Sequence, residues 1–72
     1  MVDINRANAL DLSVLPGVGP ALAEAIVTDR RENGPFADLE DLERVKGISS
    51  RTVEGLRAFA TCGDDEGGVE AP

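Results

Sequence analysis

The chain has 72 residues with 14 acidic and seven basic side chains, giving a net charge of −7; 42% of its residues are hydrophobic, and Phe36 and Phe59 are its two aromatics. Such a chain forms one small domain with a core of Leu, Val, Ile and Ala. With no His and a lone Cys62, it excludes a Ser-His-Asp or Cys-His catalytic centre, a zinc site of His and Cys, and an internal disulfide.

Reading from the N-terminus, MVDINRANAL has neither the basic start nor the apolar stretch of a signal peptide. Asn8 is placed to cap a helix over about 8–14, with Ile4 and Leu10 turned inward. The turn Leu15–Gly19 follows. Pro20 suits the first position of a second helix, where its missing N–H costs nothing. Leu22, Ala23, Ile26 and Val27 form the apolar stripe of that helix, and Glu24, Thr28, Arg31 and Glu32 its outer face. Arg30 and Arg31 fall at its negative dipole end, which explains them structurally. Gly34 suits a left-handed cap, and Pro35 prevents continuation. Asn5 is expected to hydrogen-bond backbone and fix how the chain enters the fold.

Phe36 is expected to plug the junction between two halves. Asp38 caps a third helix over about 39–44, with Glu40 and Asp41 in its first turn; capping explains these acids better than a metal cluster does. A second turn, Val45–Ser49, leads into a fourth helix over about 50–61 that buries Val53, Leu56 and Phe59. No segment alternates as a strand does. The final stretch, GDDEGGVEAP, is acidic and Gly-rich and reads as a disordered tail over 63–72, following a domain over 1–62. Ten acids and seven bases precede it, so that part carries only −3.

A shift of thirty residues superposes one half on the other. Asp11 meets Asp41, Leu12 meets Leu42, Leu15 meets Val45, Gly17 meets Gly47, Val18 meets Ile48, Glu24 meets Glu54, and Ile26 meets Leu56. Two copies of one helix–turn–helix unit can bury their apolar stripes against each other. In each turn a Gly can take positive φ, and Val18 or Ile48 anchors the turn from below. A helix start leaves backbone N–H groups without partners and favours an anion such as phosphate. The candidate donors are Gly17, Val18, Gly19 and Ala21 in the first turn, and Gly47, Ile48, Ser49, Ser50 and Thr52 in the second, flanked by Lys46 and Arg51. Ser49 can cap the fourth helix or reach a phosphate, but not both.

These residues resemble the helix-hairpin-helix family, in the tandem form found in the DNA-binding domain of ComEA-type competence proteins. The resemblance is carried by Ile4-Asn5-Arg6-Ala7, Leu15-Pro16-Gly17-Val18-Gly19, Arg30 to Gly34 with Phe36, and Asp41-Leu42 with Val45 and Gly47-Ile48. It implies an all-α, pseudo-twofold (HhH)2 domain of four to five short helices, SAM-like in class. It also implies a monomer that holds double-stranded DNA through phosphates across the minor groove, without regard to sequence and without cofactor or catalysis. This chain departs from the pattern at Pro20-Ala21, where related domains carry a base nearby, and at Ser49 in place of Gly. An alternative is a protein-interaction module that kept the fold and lost the DNA; another is a segment of a longer DNA-processing protein. No membrane contact is expected, and the location is cytoplasmic by default, or extracytoplasmic for a piece of an anchored competence receptor.

Overall fold

The computed structural model describes residues 1–62, and three of the four helices there start at a side-chain cap, the long helix that begins at Gly19 being the exception. The Asn8 side-chain oxygen accepts the Asp11 N–H at 2.8 Å and opens α1 (Ala9–Ser13). Thirty residues later the Asp38 carboxylate accepts the Asp41 N–H at 2.9 Å and opens a 3₁₀ helix (Leu39–Arg44). Each cap satisfies a donor that a first helical turn leaves without a partner. The two turns lead into α2 (Gly19–Asn33) and α3 (Ser50–Leu56). Two-residue strands, β1 (Val2–Asp3) and β2 (Ala60–Thr61), pair in parallel with Val2 opposite Ala60 and Asp3 opposite Thr61.

One apolar cluster joins the halves, and the repeat pairs make most of it. Leu12 and Leu42, Leu15 and Val45, Val18 and Ile48, Ala23 and Val53, and Ile26 and Leu56 are all buried. Ile4, Phe36 and Ala60 complete it. Full burial of one such Leu, Ile or Val side chain is worth about 1.5–3 kcal/mol. No charged side chain is buried among the described residues.

Asn5 fixes the seam between the halves. Its Nδ2 donates to the Phe36 carbonyl at 2.9 Å, and its Oδ1 accepts the Phe36 N–H at 2.8 Å. Phe36 is thereby held as the expected plug, 3% exposed.

The architecture is the expected tandem of helical hairpins, with five differences. Two short strands stand where none is expected: Ile4 N–H donates to Thr61 O at 2.8 Å and Val2 N–H to Phe59 O at 2.9 Å, so the two ends of the described region are tied by strand pairing. The last helix therefore stops at Leu56 rather than near Thr61, and a turn closed by Phe59 N–H on Leu56 O carries the chain to β2. That turn leaves Phe59 55% exposed instead of buried, and Leu10 points outward at 75% exposure because Leu12 takes the inward position on the short α1. Gly34 has positive φ, as expected, but its ψ of 174° lies outside the left-handed helical region, in a conformation essentially restricted to Gly. The acidic tail lies outside the described residues.

Candidate nucleic-acid interface

The two turns repeat bond for bond. Leu15 N–H donates to Leu12 O and Val18 N–H to Leu15 O, each at 3.1 Å; Val45 N–H donates to Leu42 O at 2.9 Å and Ile48 N–H to Val45 O at 3.0 Å. Gly17 and Gly47 both take positive φ, 79° and 102°, which a Cβ would oppose. Val18 and Ile48 are buried beneath the turns. Each turn also rests on the helix that follows the other. Thr52 of α3 comes within 3.3 Å of a Cβ built at Gly17, and Leu22 of α2 within 2.7 Å of one built at Gly47. Thr52 and Leu22 are themselves thirty apart, so the contact is reciprocal and relates the halves as a twofold axis would.

This packing leaves Gly17, Ala21, Lys46, Gly47, Ser49, Ser50 and Arg51 exposed, with Gly19 and Thr52 half-buried. The expected donors divide in two. The N–H groups of Val18 and Ile48 already donate inside their turns, and Thr52 N–H donates to Ser49 Oγ at 3.4 Å. Among the described residues, the N–H groups of Gly17, Gly19, Ala21, Gly47, Ser49 and Ser50 enter none of the turn or capping bonds. Ser49 caps α3, the first of the two roles open to it. Lys46 and Arg51 make no ion pair among the described residues. The first turn has no cation of its own: Pro16, Pro20 and Ala21 stand around it.

Three of the other arginines are committed elsewhere, while Arg6 pairs loosely with Asp3 at 3.7 Å and Arg31 is exposed with no ion pair among the described residues. Arg44 reaches Asp29 at 2.6 Å, Asp41 at 3.1 Å and the Gly34 carbonyl at 2.6 Å, and lies 4.1 Å over the Phe36 ring centre. It ties the end of α2 to the 3₁₀ helix just before the second turn. Arg30 donates to Ile4 O at 2.7 Å, a tether beyond its dipole role. Arg57 bonds Glu40 and, at 3.2 Å, Glu54. The Arg57 hydrogen bond holds the Glu40 carboxyl below its ordinary pKa. Only the Asp3–Arg6, Asp41–Arg44 and Glu54–Arg57 pairs, each three residues apart, left a sequence signal.

A family model described as the helix-hairpin-helix motif matches residues 1–61. The chain belongs to the helix-hairpin-helix family. It is 41% identical over 61 residues to ComE operon protein 1 of Bacillus subtilis, covering 85% of this chain and 30% of that protein. It is 45% identical over 53 residues to kinesin-like protein KIF22 of Rattus norvegicus, covering 74% of this chain and 8% of that one. It is 39% identical over 56 residues to endonuclease/exonuclease/phosphatase family domain-containing protein 1 of Homo sapiens, covering 78% of this chain and 10% of that one. The chain thus spans less than a third of each relative and matches a domain within it. In this helix-hairpin-helix domain no helix is long and apolar enough to cross a membrane, and no three His, Cys, Asp or Glu side chains cluster to hold a metal, among the described residues.

Proposed function

We propose that this helix-hairpin-helix domain binds duplex DNA without regard to base sequence. Amides of Gly17, Gly19 and Ala21 meet phosphates of one strand, and those of Gly47, Ser49 and Ser50, with Lys46 and Arg51, meet phosphates of the other across the minor groove. Val18 and Ile48 serve as anchors that hold each row of donors in shape. The observation that carries this reading is one exposed turn displayed twice, each copy seated on the helix behind the other. The strands of a duplex are related by a local twofold, and twofold protein surfaces match that symmetry. Kinship with ComE operon protein 1 and the resemblance to ComEA-type domains support the same partner, with DNA uptake as the process.

Of the ~4 phosphates contacted, Lys46 and Arg51 neutralise two, which gives a log–log salt slope of roughly −1.8, about −0.9 for each. Affinity is micromolar or weaker, as for non-specific binding generally. A salt titration of the chain against two unrelated duplexes tests the reading. Similar affinities with this slope support it, and no binding at low salt ends it.

The charge of −7 and the cation-free first turn favour a second reading, a protein-interaction module without DNA. A partner that stays bound through high salt and nuclease treatment separates the two.

A further inference from the structure

The repeats agree on their inner faces and diverge on their outer ones. Leu10 and Val14 are 75% and 73% exposed, one helical turn apart on one face of α1. Thirty residues on, the second repeat carries Glu40 and Arg44 instead. The fold therefore tolerates charge at these positions while packing the same core. Met1 and Phe59, 85% and 55% exposed, extend the face. With Val14, Pro16 and Ala58 they line an open groove of about 400 Å³. Isolated apolar residues on a surface are ordinary, but a contiguous apolar patch marks an interaction site.

The charges beside this face show the same divergence. Asp41 pairs with Arg44 at 3.1 Å and Glu54 with Arg57 at 3.2 Å. Their first-repeat counterparts, Asp11 and Glu24, have Val14 and Val27 where those arginines would stand. Neither makes an ion pair among the described residues. Asp11 borders the patch beside Met1 and Val14, and Glu24 borders it beside Leu10.

We propose that this face docks an amphipathic helical segment of a protein partner. Its apolar stripe covers Leu10, Val14 and Phe59, and its Lys or Arg side chains meet Asp11 and Glu24. The partner supplies from outside the cations that the second repeat supplies for itself, and the mode is a helix laid in a groove. A second copy of the chain is the poorer occupant, because it brings the same acids and a charge of −7 to an acidic rim. The docking face does not depend on the DNA reading.

The test titrates the ¹⁵N-labelled full chain with a synthetic amphipathic Leu/Lys helix. Amide shifts are expected around residues 1–2, 10–14 and 58–59. An analogue with Ser in place of Leu, equal in charge, should bind at least about tenfold more weakly, the effect of one lost apolar anchor. A Leu10→Glu, Val14→Arg double variant should lose at least as much while its unfolding midpoint holds, since it installs the second repeat's residues and pairs Arg with Asp11. Equal binding of the Ser analogue, shifts centred elsewhere, or no binding overturns the proposal. So does sedimentation showing a dimer that the double variant dissolves, which assigns the face to a second copy.

Discussion

Leu22 Cδ2 lies 2.7 Å from the point where a Cβ at Gly47 would stand, so the second turn is seated on the helix behind the first. At the reciprocal position Thr52 Cγ2 lies 3.3 Å from a Cβ at Gly17, and at Gly19 nothing lies within 4 Å. All three glycines have positive φ, so Ala is strained at each, and the contacts set the ranking. Gly47→Ala should cost about 2–3 kcal/mol, Gly17→Ala about 1–2, and Gly19→Ala about 1. Urea unfolding of the three variants checks this. Equal losses would show that backbone strain alone matters and that the reciprocal seating contributes nothing.

That seating explains what could be read from the residues and what could not. The thirty-residue repeat, the caps at Asn8 and Asp38 and the buried Val18 and Ile48 are local features: each depends on neighbours within one turn of chain. The outward swing of Phe59 is different. It depends on Val2 and Ile4 pairing with the chain near Ala60, a partner almost the whole domain away, and two-residue strands carry no alternation to detect. Likewise nothing near Arg44 announces Asp29 or the Gly34 carbonyl. At the candidate interface the two turns could be read from the residues, but the division of their amides into engaged and unengaged required the turn bonds themselves.

Asn5 spans the two repeats through the Phe36 backbone. Asn5→Ala leaves the Phe36 N–H without this acceptor in a part-buried site, which should cost about 1–3 kcal/mol. Asn5→Asp keeps the acceptor for the Phe36 N–H but sets a carboxylate oxygen against the Phe36 carbonyl and removes the Nδ2 contact with Cys62 Sγ, so it should also destabilise, from the carbonyl side of the same contact. Hydrogen exchange at the Phe36 amide separates the variants: protection should collapse with Ala and persist with Asp.

Arg44 holds Asp29, Asp41 and Gly34 O while stacking on Phe36, a geometry that a planar fork can satisfy and an ammonium cannot. The side chain is 28% exposed, so solvent screens part of the gain. Arg44→Lys should lower stability by about 1 kcal/mol even though charge is conserved. Thermal unfolding measures it. An unchanged midpoint would mean that the clamp acts only as a point charge.

The Glu40 carboxyl, held below its ordinary pKa first by the Arg57 hydrogen bond, gives a pH dependence of known sign. Its folded pKa lies below its unfolded one, so its contribution is complete above the unfolded pKa and is lost as pH falls through the folded value. The Glu40 side chain is 56% exposed, and salt should weaken the effect. In Arg57→Gln the Glu40 titration, followed by NMR, should move up towards the ordinary glutamate value. A midpoint that stays in place would assign the depression to the backbone instead.

Lys46 and Arg51 differ from Arg30, Arg44 and Arg57 in what they are left to do, and unlike Arg31, which is also exposed and unpaired but lies at the end of α2, they flank a turn. Arg44 and Arg57 are tied to carboxylates and Arg30 to a carbonyl, whereas Lys46 and Arg51 stand exposed and without ion pairs beside the second turn. If duplex phosphates are their partners, a Lys46→Ala, Arg51→Ala double variant should flatten the log–log salt slope by roughly 1.8, two counterions at about 0.9 each. The loss should be alike on unrelated sequences, because phosphates carry no base information. The first turn offers amides without a cation, so Gly17→Ala should weaken binding with little change in slope. Salt titrations of both variants distinguish the contributions. A slope unchanged in the double variant would remove side-chain charge from the grip and leave the turn amides as its whole basis.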